Sequence, residues 1–283
     1  LSSRARSTNP LSASGSSVSA DADDIARRWE RHFEARADQW QPQSPARARR
    51  FVKKLIMRAI VQHCGLAGGE LVLEVGCGTG IFGLALATLG CRCVGLDYST
   101  LMLEQVRSAA ASYGQRYGPI AVQVTRQDIM RLGLASETFH LVLSEGVLEH
   151  WLAREQRVRT LREMARVARP GGHVAVCIPN NFHPFYDRWC RIGYAHKTGE
   201  LHEARLSPQA LNDEMTAAGL GAVRVEAHDV YDSVKLYWPH LRPLWYVGKA
   251  LEMVLPWTPQ RIRRKWGVTL LGIGEKPGSA KCS

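Results

Sequence analysis

Three carboxylates stand at the ends of three short apolar runs. Glu74 lies within Leu71 to Val75, Asp97 closes Cys91 to Leu96, and Asp128 follows Ile120 to Val124. Between the first two lies Gly76-Cys77-Gly78-Thr79-Gly80. Glycines at alternate positions let the main chain turn tightly and leave no β-carbon between backbone and ligand. A helix starting after them would offer free N–H groups to acceptor atoms. An acid about twenty residues beyond the first glycine can accept both hydroxyls of a ribose. Carboxylates at strand ends are costly to bury without partners, and a polar ligand would provide them. The pattern points to a nucleoside site. A nicotinamide-dependent dehydrogenase uses the same ribose carboxylate, but its fingerprint is Gly-x-Gly-x-x-Gly, whereas this chain has Gly-x-Gly-x-Gly preceded by Glu74.

The elements that must hold these groups follow from hydrophobic periodicity. Short apolar runs alternate with helical stretches from about 71 to 178, which is the signature of crossover units and a parallel sheet. Ser99 can cap a helix carrying Met102 and Val106. Val158, Leu161, Met164 and Ala168 mark a helix stopped by Pro170 and Gly171. A helix from Pro208 to Ala218 leads to a sixth strand near Ala222 to Ala227, and a seventh is expected at Val268 to Gly274. Two helices are expected before the first strand. Ile25, Trp29, Phe33 and Trp40 recur at helical spacing in one, and Phe51, Leu55, Ile56 and Ile60 in the other.

Together these residues resemble the class I S-adenosylmethionine-dependent methyltransferases of the small-molecule type. The match runs over about residues 70 to 180. It includes Glu74 to Gly80, Asp97, Arg126-Gln127-Asp128-Ile129, the stretch Phe139 to His150, and Arg169-Pro170-Gly171-Gly172 leading into His173 to Cys177. The resemblance implies an α/β fold with a Rossmann-like seven-stranded, mostly parallel sheet flanked by helices. N-terminal helices and a helical cap inserted after strands 5 and 6 would complete it. It implies S-adenosyl-L-methionine as cofactor, with contacts from Glu74, Gly76, Cys77, Gly78, Asp97, Tyr98, Met102, Asp128, Ile129 and Glu145. The glycine loop would lie under the methionine part, Asp97 on the ribose and Asp128 on the adenine amine. The N-terminal helices would form a lid bearing Phe33 and Trp40.

Methyl transfer from a sulfonium needs alignment and, at an oxygen or nitrogen acceptor, removal of a proton. His150 is the candidate base, because histidine titrates in the right range. The alternative is a structural histidine that supports its turn. Trp40, His183 and Tyr186 are candidate substrate contacts. Histidines and acids are dispersed rather than set at ligand spacing, so no metal site is expected.

The expected organisation is a disordered tail over 1–24, lid helices over 25–66 and a methyltransferase domain over 67–283, with cap insertions at about 179–206 and 229–266. Serine-rich residues 1–20 lack a secretory apolar core; a tag remnant or a transit peptide is the other reading. Seven cysteines without Cys-x-x-Cys pairs suggest neither a disulfide framework nor a zinc site, and a reducing, cytoplasmic setting is the simplest. No apolar run reaches the roughly 18 to 20 residues that span a bilayer.

The formal net charge is +11, and from Lys235 onward there are nine Lys or Arg against two Glu. Trp238, Trp245, Trp257 and Trp266 are interleaved with them. Such a segment can meet an anionic membrane surface peripherally, or nucleic acid, or simply pack as a cap. The acceptor is expected to be a small molecule, with a lipid-like compound, a quinone precursor or a natural product as candidates. An NAD(P)-dependent oxidoreductase and a tRNA methyltransferase are the alternatives.

Overall fold

The computed structural model describes residues 27–35, 41–184, 203–229, 246–247, 250 and 260–278. The expected tail over 1–24, Trp40, Tyr186 and most of both expected cap insertions lie outside them.

Five parallel strands form the body of the sheet: β1 (Leu71–Val75), β2 (Arg92–Asp97), β3 (Val122–Arg126), β4 (Phe139–Glu145) and β5 (Ala168–Pro179). Strands β6 (Gly221–His228) and β7 (Thr269–Glu275) complete it. The order is β3-β2-β1-β4-β5-β7-β6, with β7 antiparallel to both of its neighbours. The chain therefore leaves β1 toward β2 and β3 on one side and returns to β4 on the other. That reversal opens a crevice beyond the carboxyl ends of β1 and β4, where open parallel sheets bind ligands.

Side-chain alternation along the strands explains the two layers of core. Leu73 and Val75 of β1 and Val142 of β4 face helices α6 (Arg154–Val167) and α7 (Pro208–Ala217), meeting Leu161, Met164, Leu211 and Met215. Val72, Leu141 and Leu143 face the opposite way, against Ile56, Met57 and Ile60 of α3 (Leu55–His63) and Phe82 of α4 (Ile81–Ala87). Cys91 and Cys93 join this second layer, and burial raises both thiols, Cys91 to about 12. Helix α5 (Thr100–Tyr117) begins as expected, with the Ser99 hydroxyl accepting from the Met102 amide.

The structure departs from expectation at two element boundaries. A first helix, α1, covers residues 27–34, but the second is two pieces: α2 (Pro45–Phe51) precedes α3. Ser44 caps α2 and Pro45 occupies its first turn, so the helix starts earlier than its apolar spacing suggests. At the end of α6, Ala168 is already extended and pairs with Phe139. The segment Arg169 to Gly172 is thus part of β5 rather than a turn before it.

One buried ion pair fixes the chain beyond β4. The Arg157 guanidinium on α6 donates to both Glu214 oxygens on α7, at 2.7 to 3.2 Å, and to the carbonyls of Trp151 and Leu152. Every guanidinium nitrogen is used, so removing the arginine strands a buried carboxylate and two carbonyls. Arg157→Ala is expected to cost about 3 to 5 kcal/mol of stability, measured as a lower urea midpoint by circular dichroism; an unchanged midpoint would show the pair to be dispensable.

Candidate functional site

A cavity of about 310 Å³ lies beyond the carboxyl ends of β1 to β4. Gly76, Cys77, Gly78, Asp97, Tyr98, Asp128, Ile129, Glu145 and His150 line it, as do Trp29 and Phe33 from α1. A wider groove of about 660 Å³ runs along α7 and β6, away from these strand ends and from the glycine turn.

The three glycines do different work. Gly76, Gly78 and Gly80 all have left-handed backbones, with φ of 63°, 48° and 71°. A β-carbon at Gly76 would meet Val147 at 2.5 Å, and one at Gly80 would meet Val106 at 2.8 Å. Those two positions let protein pack on protein. At Gly78 a β-carbon would meet nothing within 4 Å, so this glycine alone leaves its open space toward the cavity.

Asp97 joins two loops. One carboxylate oxygen accepts the Gly78 amide at 2.8 Å and the other the Ser99 amide at 2.9 Å. Each oxygen keeps a further lone pair for a ligand hydroxyl. Burial raises its pKa, while those amides oppose the rise. At the end of β3, Asp128 accepts the Met130 amide at 2.8 Å, shaping the corner that carries Ile129. The Arg126 guanidinium lies 4.8 Å over the Tyr98 ring and pairs with Glu30 at 3.6 Å, tying α1 to the rim. Glu145 presents surface to the cavity yet is crowded by protein, which raises its pKa; Asp229 adds to the rise and Lys54 opposes it.

Two expected cofactor residues stand behind the wall instead. Glu74 is buried, and its carboxylate accepts the Gly83 amide of α4 at 2.8 Å. Its side chain points across to that helix because the pleat turns it to the α4 face of β1. Met102 is fully buried in the first turn of α5. Both brace the loops that form the cavity.

His150 ends a 3₁₀ turn, Leu148–His150, and its ring meets Trp29 edge-on at 4.8 Å. Trp29 also stacks on Phe33 at 5.2 Å, so α1 covers the cavity with aromatic surface. His183 is buried outside the lining, edge-on to Trp266 at 6.2 Å, and burial lowers its pKa to about 4. Trp29, Thr79, Gln127, Val147 and Trp151 line the cavity without having been singled out as site residues. The helical spacing of Trp29 gave a signal for its helix, whereas nothing local marks Trp151 as a wall residue.

A family model described as a methyltransferase domain matches residues 73–176, the stretch that supplies β1 to β5 nearly whole. The segment is a class I S-adenosylmethionine-dependent methyltransferase domain. The demethylmenaquinone methyltransferase of Mycobacterium sp. (strain KMS) is 37% identical over 117 residues, which are 40% of this chain and 43% of that protein. The probable tRNA methyltransferase 9B of Mus musculus is 31% identical over 113 residues, 39% of this chain and 22% of that one. The chain thus spans less than half the length of these curated relatives. A solved S-adenosylmethionine-dependent methyltransferase from Thermotoga maritima superposes with a TM-score of 0.54 at 19% identity, covering 88% of this chain and 99% of that one, and shares the fold.

The methyltransferase domain fits its cofactor on its own geometry. The open space at Gly78, the free lone pairs of Asp97 and the carboxylates of Asp128 and Glu145 suit a ligand that carries a ribose, an amine and positive charge. When bound, the cofactor supplies a methyl group already activated by its sulfonium.

Burial raises the Glu74 carboxyl from 4.5 to about 8. An unfolded chain ionises this group near 4.5 while the folded one holds its proton, so folding is progressively disfavoured as pH rises from about 4.5 to about 8. Relative to wild type, Glu74→Gln is expected to gain stability across that window, by at most about 1.4 kcal/mol per pH unit. Urea midpoints of cofactor-free protein at several pH values check this; parallel pH profiles would contradict it.

Proposed function

We propose that the protein transfers a methyl group from S-adenosyl-L-methionine to an oxygen or nitrogen of a small, largely apolar acceptor. The observation that carries this reading is the mixed lining of the cavity. Asp97, Asp128 and Glu145 line the cavity at the strand ends, and the same cavity is lined by the apolar Trp29, Phe33, Val147 and Trp151, with His150 among them. The acids suit the cofactor, and the aromatic surface suits a flat or lipid-like acceptor. His150 stands where the acceptor would be handled, and we assign it to acceptor activation. Reaction then depends chiefly on alignment, since the donor carries its own activation.

The named activity of the mycobacterial relative on demethylmenaquinone agrees with an apolar acceptor such as a quinone precursor. A second reading, a tRNA acceptor, is favoured by the net charge of +11 and by the name of the murine relative. Within the basic segment, the exposed Arg264 and Lys265 of α8 (Gln260–Trp266) lie next to the partly exposed Trp266. That surface suits peripheral contact with anionic lipid, as a cytoplasmic enzyme on a lipid-like acceptor requires.

Three measurements test these assignments. Asp97→Ala is expected to weaken S-adenosylhomocysteine binding at least about tenfold by calorimetry, corresponding to loss of hydrogen bonds to a charged group; unchanged affinity, or binding of NADH in its place, would sink the cofactor assignment. His150→Ala should keep that affinity and lower turnover by about 10²-fold or more, once a mass-spectrometric screen of cell extract has found the product gaining one methyl group. The protein should float with anionic vesicles at low salt and be released at high salt; binding to tRNA and not to vesicles would favour the second reading.

A further inference from the structure

A second cluster of polar side chains lies at the His150 end of the cavity. Glu149, His150 and Glu203 each offer a ligand atom, and these atoms lie within 4.8 Å of one another. Glu149 and His150 are adjacent in the 3₁₀ turn, whereas Glu203 comes from 53 residues further along the chain. The backbone brings them together: the Ala204 amide donates to the Glu149 carbonyl at 2.6 Å.

Glu149 is the group that needs an explanation. It is only 2% exposed, and neither carboxylate oxygen has a hydrogen-bond partner among the described residues. Two of its ionisable neighbours, Glu203 and Glu145, are also acids and push its pKa further up. The Arg157 guanidinium is taken up by Glu214 and by the Trp151 and Leu152 carbonyls. A buried carboxyl group with no side-chain partner is stabilised as an anion by a cation placed against it.

We propose that Glu149, His150 and Glu203 bind a divalent transition-metal ion. One imidazole and two carboxylates make a nitrogen and oxygen donor set of the kind that holds Mn²⁺ or Zn²⁺, and they leave coordination positions for water or an acceptor oxygen. Bringing the three ligand atoms from their present separation to distances of about 2.0 to 2.2 Å from one ion takes side-chain adjustments on the order of 1 Å. Because His150 also lines the cavity, the ion would stand at its wall, beside the aromatic surface assigned to the acceptor. This gives acceptor activation by His150 a definite form, that of a metal ligand. Only that role rests on the methyl-transfer reading; the cation site does not.

Calorimetric titration of the chelator-treated full chain with MnCl₂, and separately with ZnCl₂, tests the site without any methyl acceptor. Saturable binding of one ion per chain is expected, weakened at least about tenfold in Glu149→Gln and likewise in Glu203→Gln, as expected when a charged ligand is lost. Glu203, the less buried of the two, guards against a folding artefact, and the melting temperature of each variant reports on its fold. Absence of saturable binding by the wild type, or equal affinity in both folded variants, would overturn the site. S-adenosylhomocysteine binding, measured in the same samples, reports separately on the cofactor reading.

Discussion

The Asp97 carboxylate is the interaction on which the site depends. With one oxygen on the Gly78 amide and the other on the Ser99 amide, it joins the loop after β1 to the loop after β2. The Cys77 amide adds a third tie, to the Leu96 carbonyl at 2.9 Å. Glycine loops have many conformations open to them, and a buried acceptor facing main-chain amides selects one. The same carboxylate lines the cavity. It therefore holds the loop in place and presents lone pairs to a ligand at once, which couples loop geometry to ligand recognition.

The sheet that carries Asp97 was largely legible in the sequence, because the buried parallel strands β1, β2, β4 and β5 must read as short apolar runs and do, with β3 half-exposed at the sheet edge. Ser99 announced α5 through its capping chemistry. The boundaries that were missed depended on competition between signals. Pro45 and Ser44 started α2 ahead of its apolar repeat, and pairing with Phe139 drew Ala168 to Gly172 into β5. In the site, the strand-end acids and glycines were legible, since their types and spacing are local properties. What those groups touch was not. Whether Glu74 faces a ligand or α4 is decided by the pleat and by the position of Gly83, nine residues on. Gly76 and Gly80 look like ligand-facing glycines until Val147 and Val106 are placed against them. The meeting of Glu203 with Glu149 had no local signal at all.

Charge is distributed against the molecule's overall sign. The chain carries a net +11, yet the buried Glu74, Asp97 and Glu149 and the solvent-facing Glu145 gather around the cavity, and the loss of surrounding water raises the pKa of each. Such a concentration of acids is a standing cost to the empty protein. It falls when positive charge enters, so a sulfonium, an ammonium or a metal ion is stabilised there by more than its direct contacts suggest.

This arrangement also bears on the order of events at the site. A cationic cofactor held by Asp97 and Glu145 would lower the repulsion felt by carboxylates further along the wall. Methyl transfer then converts a sulfonium into a neutral thioether, which removes part of that favourable charge. The spent cofactor would thus be held less strongly by the acids than the incoming one, while the ribose and amine groups are the same in both. Discrimination between donor and product can therefore arise from the electrostatics of buried carboxylates, without a change in the shape of the cavity.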